Sequence, residues 1–338
     1  MGRDKPRILF SANRKLFESF VTTEHERRLA TFSEWERASD RTLTAAFGRR
    51  LQDIDGLITT WDSPPLFPEE LLAWAPNLKI ISHCGGGVKT RFARSLFDRL
   101  VITNAALPMA RHVAELAVTF LLYLARDVDD YRLTLRGRSN HIYDEMHISG
   151  GGDQTILNRE VGMIGFGRIG RSIVELLVPF GTRFNVYDPY VAVSDLPPNV
   201  RSVSLNVVLS TSKFLIVVAG LTDETKGMLN RKTLTMLPRG AAVINVARGG
   251  IIDFDALTKL VLKGRLRCAL DVTDPQEPLP ISHPLRRARG AILTPHVGAI
   301  SRSVRHEITS IVLADLERFF SGKPVENRVT TAMLDRMT

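Results

Sequence analysis

Three side chains with complementary chemistry each stand just beyond a run of apolar residues. Arg248 follows Ala241-Ala242-Val243-Ile244-Asn245, with Val246 and Ala247 between. A guanidinium so placed can grip a carboxylate through two parallel N–H bonds. Next, Arg267-Cys268-Ala269-Leu270 opens into Asp271-Val272-Thr273-Asp274-Pro275-Gln276-Glu277-Pro278, a stretch rich in acids and prolines. Then Ala291-Ile292-Leu293-Thr294 opens into Pro295-His296-Val297-Gly298. One histidine after a strand is more often structural than catalytic. An arginine, a carboxylate and a histidine on successive strand ends of one sheet form a set that binds an acid and moves a proton.

Upstream, Val161-Gly162-Met163-Ile164 runs into Gly165-Phe166-Gly167-Arg168-Ile169-Gly170, with a helix expected from near Arg168. In such a turn Gly165 permits the tight bend, Gly167 lets N–H groups close on a pyrophosphate, and Gly170 lets the helix pack on its strand. The helix N-terminus then faces the phosphate charge. Three glycines at this spacing also occur in ordinary turns, so context decides. A second strand-like run, Arg183-Phe184-Asn185-Val186-Tyr187, ends at Asp188, about 20 residues on, where an acid meets the ribose 2′-OH and repels a 2′-phosphate. NAD is therefore expected over NADP, although Asp188-Pro189 also fits a plain turn.

These residues need a scaffold. The chain has 338 residues, 44% of them hydrophobic, enough for two domains. Strands are expected at 6–11, 56–60 and 78–82, with helices at 43–51 and 69–75 between them, an alternation that makes a parallel sheet with covering helices. The third strand empties into His83-Cys84-Gly85-Gly86-Gly87-Val88, either an anion nest suited to a carboxylate or an ordinary turn. Trp61 and Asp62 leave a similar strand end, to line a cleft or to pack. After a strand at 100–103, a helix over 108–131 with Pro108 in its first turn is expected to bridge the domains. Residues 137–154 read as a polar surface excursion. Further strands follow at 214–218 and 241–245, with a helix at 231–236.

A formal charge of +9 suits polyanions in general. The arginines are scattered, however, and Arg286-Arg287-Ala288-Arg289 and the basic stretch 132–138 lack interleaved aromatics or any nucleic-acid motif, so no specific nucleic-acid partner is expected. The longest apolar run, 113–125, contains Glu115 and is too short to span a bilayer, and no export signal precedes the strand-like Ile8-Leu9-Phe10. Cys84 and Cys268 lack metal-ligand spacing, which suits a metal-free protein of the reducing cytoplasm.

GFGRIG at 165–170, NVARGG at 245–250, ALDV at 269–272, EPLP at 277–280 and TPHVGA at 294–299 together resemble the D-isomer-specific 2-hydroxyacid dehydrogenases, over about 58–329 and in that family's order. The resemblance implies two Rossmann-like, doubly wound parallel-sheet domains: a discontinuous substrate domain of 1–104 and 298–338, and an inserted NAD-binding domain of 105–297. It implies catalytic roles for Arg248 on the substrate carboxylate, His296 on the substrate oxygen and Glu277 beside the imidazole, where an adjacent carboxylate favours imidazolium. Gly165, Gly167, Arg168, Ile169, Gly170, Asp188, Ala247 and Asp271 would bind NAD, Asp271 at the nicotinamide carboxamide. Gly86, Gly87, Val88 and Trp61 would meet the substrate, with Asp62, His83 and Met109 also bearing on its choice. A small 2-oxo acid such as glyoxylate or hydroxypyruvate and a homodimer are the implied partners.

Departures from the family pattern are Lys89 where an acid is usual and Ala219-Gly220-Leu221-Thr222 where many members carry a histidine. Counting forward from Asp271 puts the catalytic carboxylate position on Gln276, and counting back from the Pro-Leu-Pro stretch puts it on Glu277, which is the choice made here. Two other readings stay open: an NAD-sensing, corepressor-like binding protein, and a degenerate dehydrogenase that binds NAD without turnover.

Overall fold

The apolar runs and turn signals resolve into two sheets in the structure, a computed structural model describing residues 5–39, 41–136, 141–150 and 154–335. The chain divides into two compact units, one of two segments, Met1–Met109 with Ala299–Thr338, and a central one, Ala110–Gly298.

In the two-segment unit β1 (Arg7–Ser11), β2 (Glu34–Ala38), β3 (Gly56–Thr59), β4 (Ile80–His83) and β5 (Val101–Asn104) pair in parallel. β3 and β4 are buried along their whole length, as strands covered on both faces must be, and this is why they read as unbroken apolar runs. Two helices, Arg14–Phe20 and Thr23–Phe32, and the strand β2 come between β1 and the expected helix, found at Ala45–Leu51. Sequence reading passes over β2 because Glu34-Trp35-Glu36-Arg37-Ala38 pairs only with β1 at the sheet edge and exposes alternate side chains to solvent.

The central unit is a sheet of seven parallel strands: β6 (Glu160–Ile164), β7 (Arg183–Tyr187), β8 (Val200–Ser202), β9 (Phe214–Val217), β10 (Ala242–Asn245), β11 (Arg267–Leu270) and β12 (Ala291–Leu293). Their spatial order, β12-β11-β10-β9-β6-β7-β8, reverses direction between β6 and β9. Open sheets of this kind bind ligands outside the strand ends at such a reversal. One core holds Leu121, Met163, Ile173 and Ile216, and a second holds Leu209, Leu215, Val243 and Leu257. The alternating residues of β9, Leu215 and Ile216, thus feed opposite faces.

The long helix expected over 108–131 is two helices, Ala106–Ala125 and Val128–Leu135. Asp127, at φ 48°, breaks them. Arg267 explains the stop: its Nη1 donates to the Leu124 carbonyl at 3.0 Å and to the Asp127 carboxylate at 2.5 Å, capping the first helix from a strand distant in sequence. At 20 residues Ala106–Ala125 is long and apolar enough to cross a membrane by length and composition. Its Ala114, Ala117, Phe120, Leu121 and Leu124 nevertheless pack into the first core of the central unit.

Of the expected surface excursion, 137–140 and 151–153 lie outside the described residues, and between them runs a helix, His141–Ser149. The rings of Tyr143 and His147, one helical turn apart, stack at 4.0 Å and support it. The helix Arg302–Phe320, capped by Ser301, completes the two-segment unit, followed by β13 (Arg328–Val329), antiparallel to β5. Thr309 Oγ1 donates to the Phe20 carbonyl at 2.8 Å, and Arg28 pairs with Glu317 through two bonds of 2.9 and 2.6 Å.

Candidate active site

The glycine turn after β6 is shaped by steric need. Gly165 has φ 90°, and a Cβ there would stand 2.6 Å from the backbone of Ala219. Its N–H donates to the Tyr187 carbonyl at 2.9 Å, and the next N–H, of Phe166, donates to Asp188 Oδ2 at 2.7 Å. Asp188 thus ties the turn to the end of β7, its other oxygen accepting the N–H of Tyr190 at 2.9 Å. Gly167 is exposed, and a Cβ there would meet nothing within 4 Å. It caps the helix Arg168–Leu177 without any side-chain bond, so the first-turn N–H groups keep their capacity for an anion. Gly170 packs that helix on its strand, its Cβ position 3.0 Å from Met163 Sδ. Arg168 is exposed and Ile169 half-buried at the head of the helix. This open cradle fits the pyrophosphate of a dinucleotide.

Three further turns lie at the ends of β10, β11 and β12. Asn245, fully buried, accepts the N–H of Ala247 at 3.0 Å and donates to the Arg248 carbonyl at 2.9 Å, folding the backbone so that Arg248 leaves the strand end. The Arg248 guanidinium donates to the Ala247 carbonyl at 2.7 Å. Burial pulls its pKa below the ordinary arginine value, and the nearby Glu277 carboxylate acts the other way. A half-buried cation with most of its N–H groups uncommitted is a receptor for an anion. Gly249 seats this turn against the next: a Cβ would stand 2.3 Å from the carbonyl of Thr273.

Beyond β11, the Thr273 N–H donates to Glu277 Oε1 at 3.1 Å and its hydroxyl to the Gln276 carbonyl at 2.7 Å, pinching the loop. Glu277 Oε2 lies 2.9 Å from His296 Nδ1, while the Gln276 side chain faces solvent. An ionised carboxylate only accepts, so Nδ1 carries the proton of that bond. Nε2 makes no hydrogen bond among the described residues and is free to exchange a proton with a ligand. His296 has φ 55°, a left-handed conformation costing a non-glycine residue about 1–3 kcal/mol. Asp271, 2% exposed, accepts from Thr294, Val297 and Gly298 through its carboxylate. Among the described residues no group of His, Cys, Asp and Glu is arranged to hold a metal ion.

In the two-segment unit, the N–H groups of Gly86, Gly87 and Val88 donate to no partner among the described residues, while the Gly86 carbonyl is held by Asn104 Nδ2 at 2.8 Å. Met109 Sδ borders Gly86. Trp61, 42% exposed, leans on Phe20 and carries the Arg305 guanidinium 5.3 Å from its ring centroid. With Asn13, Leu16 and Arg41 it borders a cleft of about 460 Å³. The buried Asp62 carboxylate accepts from the Asn13 N–H and from Arg41 Nε, at 2.7 and 2.6 Å.

His83 lies beneath the glycine run, where a Cβ on Gly85 would stand 2.6 Å from its Nε2. Burial pulls its pKa down from 6.5 to about 3, Arg91 adding to the effect and Thr59 opposing it. Between those values the unfolded chain binds a proton that the folded one refuses. Stability is therefore full above about pH 6.5 and falls as pH drops toward 3, by up to about 1.4 kcal/mol per pH unit. Urea midpoints at pH 7 and 5 should show wild type losing about 2 kcal/mol more than His83→Asn. Equal losses in the two proteins would refute it.

Residues 118–298, more than half of the chain, match the family model described as D-isomer specific 2-hydroxyacid dehydrogenase, NAD binding domain. The chain belongs to that family. It is 30% identical over 298 residues to D-3-phosphoglycerate dehydrogenase of Mycobacterium leprae, covering 87% of this chain and 54% of that one. With hydroxypyruvate reductase of Thermotoga maritima it shares 28% over 242 residues, 71% of this chain and 76% of the other. Among solved structures, a phosphoglycerate oxidoreductase from Rhizobium etli superposes with a TM-score of 0.76 at 28% identity, covering 96% and 98% of the two chains. The chain spans about half the length of the phosphoglycerate dehydrogenases that it matches.

Within this member of the 2-hydroxyacid dehydrogenases, Asn245, Gly249 and Thr273 shape the site without having been singled out from sequence. Asn245 and Gly249 sit inside NVARGG and Thr273 just after ALDV. Their signal was present in the motifs, but a buried amide that folds its own turn differs from a solvent-facing one only in three dimensions.

Proposed function

We propose that the protein is an NAD-dependent oxidoreductase that interconverts a small D-2-hydroxy acid and its 2-oxo acid. The observation that carries this reading is the 2.9 Å bond between His296 Nδ1 and Glu277, which leaves Nε2 free on the next strand end but one from the half-buried Arg248. Arg248 binds the substrate carboxylate and orients its carbonyl. In the two-segment unit, Gly86, Gly87 and Val88 offer N–H groups suited to a carboxylate, and Trp61 bears on the choice of side chain. As the keto carbon gains a hydride, Nε2 gives its proton to the carbonyl oxygen, and Glu277 steadies the imidazolium before and the imidazole after. The glycine turn and Asp188 would hold the dinucleotide, which would supply the hydride when bound. The names of two relatives, hydroxypyruvate reductase of Thermotoga maritima and glyoxylate reductase of Korarchaeum cryptofilum, support a small acid such as hydroxypyruvate or glyoxylate.

A homodimer and a cytoplasmic setting complete the proposal. Cys84 and Cys268 are buried and unpaired, burial pushing both thiols up, which suits a reducing compartment. The test is oxidation of NADH and of NADPH followed by absorbance against glyoxylate, hydroxypyruvate, pyruvate, phenylpyruvate and bulkier 2-oxo acids. The expected result is turnover of a small acid with NADH preferred. NADH binding with no turnover on any acid would overturn the enzymatic reading and favour an NAD-sensing protein.

A further inference from the structure

Behind His296 stands a buried carboxylate that the proton transfer does not use. Asp271 Oδ1 accepts the Val297 N–H at 2.8 Å and the Thr294 hydroxyl at 2.5 Å, Oδ2 accepts the Gly298 N–H at 2.9 Å, and the Asp271 carbonyl accepts the His296 N–H at 2.8 Å. One residue thus bonds to every member of the 294–298 turn except Pro295, which has no N–H to give. The turn so held contains the left-handed His296. A disfavoured backbone conformation persists only where its surroundings over-determine it. Freed, the peptide would relax to negative φ and carry the imidazole, whose direction follows its Cα, away from Glu277.

We infer that Asp271 is the positioning residue of His296: its carboxylate clamps the turn in the one form that aims Nδ1 at Glu277 and leaves Nε2 outward. The inference rests on the proton-transfer reading of His296 given above. It sets the carboxylate a different task from the nicotinamide contact implied by the family resemblance, and the two make opposite predictions. Three donors converge on the two oxygens. An amide has one acceptor oxygen, and its NH2 would face a backbone N–H whichever way it turned. Asp271→Asn therefore keeps the size of the side chain and loses the clamp.

The experiment compares wild type, Asp271→Asn and Thr294→Val by crystal structure without cofactor, NADH dissociation constant, and kcat and KM on the best 2-oxo acid. Expected for Asp271→Asn are a His296 φ turned negative, a broken bond to Glu277, an unchanged NADH dissociation constant, and kcat lower by about 100-fold, the scale of a misplaced catalytic group. NADH binding weakened about tenfold or more, with His296 still at positive φ and kcat intact at saturating NADH, would overturn the clamp in favour of the cofactor contact. If Asp271→Asn does not fold, Thr294→Val decides, since it removes one donor and leaves the carboxylate. A kcat loss of about tenfold at unchanged NADH affinity then supports the clamp, and wild-type kcat overturns it. If wild type reduces no 2-oxo acid, the functional reading fails, while the crystal structures and NADH affinities still test the clamp.

Discussion

His296→Ala is expected to lower kcat for 2-oxo acid reduction by about 10²- to 10⁴-fold while leaving NADH affinity unchanged. The size follows from the proposed role of His296 as proton donor. Unchanged binding follows from position, since the ring is held by Glu277 and by the 294–298 turn rather than by the glycine cradle. Glu277→Gln should give a smaller but clear loss for a separate reason. Glu277 accepts from both Thr273 and His296, one to each oxygen, at 3.1 and 2.9 Å. A glutamine can accept from only one of them and turns an NH2 toward the other. Steady-state kinetics with NADH binding by calorimetry checks both variants. A His296→Ala protein that keeps wild-type kcat would end the proton-transfer reading.

Gly165→Ala and Gly167→Ala, two residues apart in one motif, should fail in opposite ways. At Gly165 the backbone lies at φ 90°, and the added methyl carbon would stand 2.6 Å from Ala219 and 2.8 Å from the carbonyl carbon of Val218. Neither obstacle is a side-chain end that can swing aside. Overpacking against backbone together with a disfavoured φ should cost about 3 kcal/mol or more. At Gly167 the backbone is extended, at φ −78° and ψ −155°, and the methyl meets nothing. That variant should fold with a loss of at most about 1 kcal/mol, the cost of a poorer helix cap. Its methyl nevertheless stands where a pyrophosphate must approach the N–H groups, and NADH affinity should fall about tenfold or more. Thermal melts and NADH titrations separate the two outcomes. Gly167→Ala binding NADH as wild type does would remove the cradle from the cofactor site.

How much of this was legible in the sequence depended on whether the deciding contact was local. Strand ends bearing Arg248, Glu277 and His296 could be located because strands buried on both faces leave unbroken apolar runs, and the glycines mark a bend whose steric demand is local. β2 left no such mark, being charged and at an edge. The break at Asp127 is written in Arg267, 140 residues on, and no pattern within the helix announces it. The choice between Gln276 and Glu277 turned on how Thr273 pinches its loop, which residue counting does not reveal. Asp271 is the extreme case, because an acid after a strand looks the same whether it meets a cofactor or holds a turn.

The two-segment unit carries a consequence for how the chain acquires its shape as it leaves the ribosome. The central unit is continuous, so its seven strands can find their partners as soon as Gly298 has emerged. The other unit must wait. Phe20, Arg28 and His25 precede the central unit in the chain, yet their bonds go to Thr309, Glu317 and Ser310, on a helix that follows it. Until that helix arrives, the first helices have an apolar face with nothing against it, the state in which chaperones bind and aggregates start. Substitutions at Ile308, Val312 or Leu316, all buried on that helix, should therefore reduce the yield of folded protein in cells more than the melting temperature of the protein that does fold.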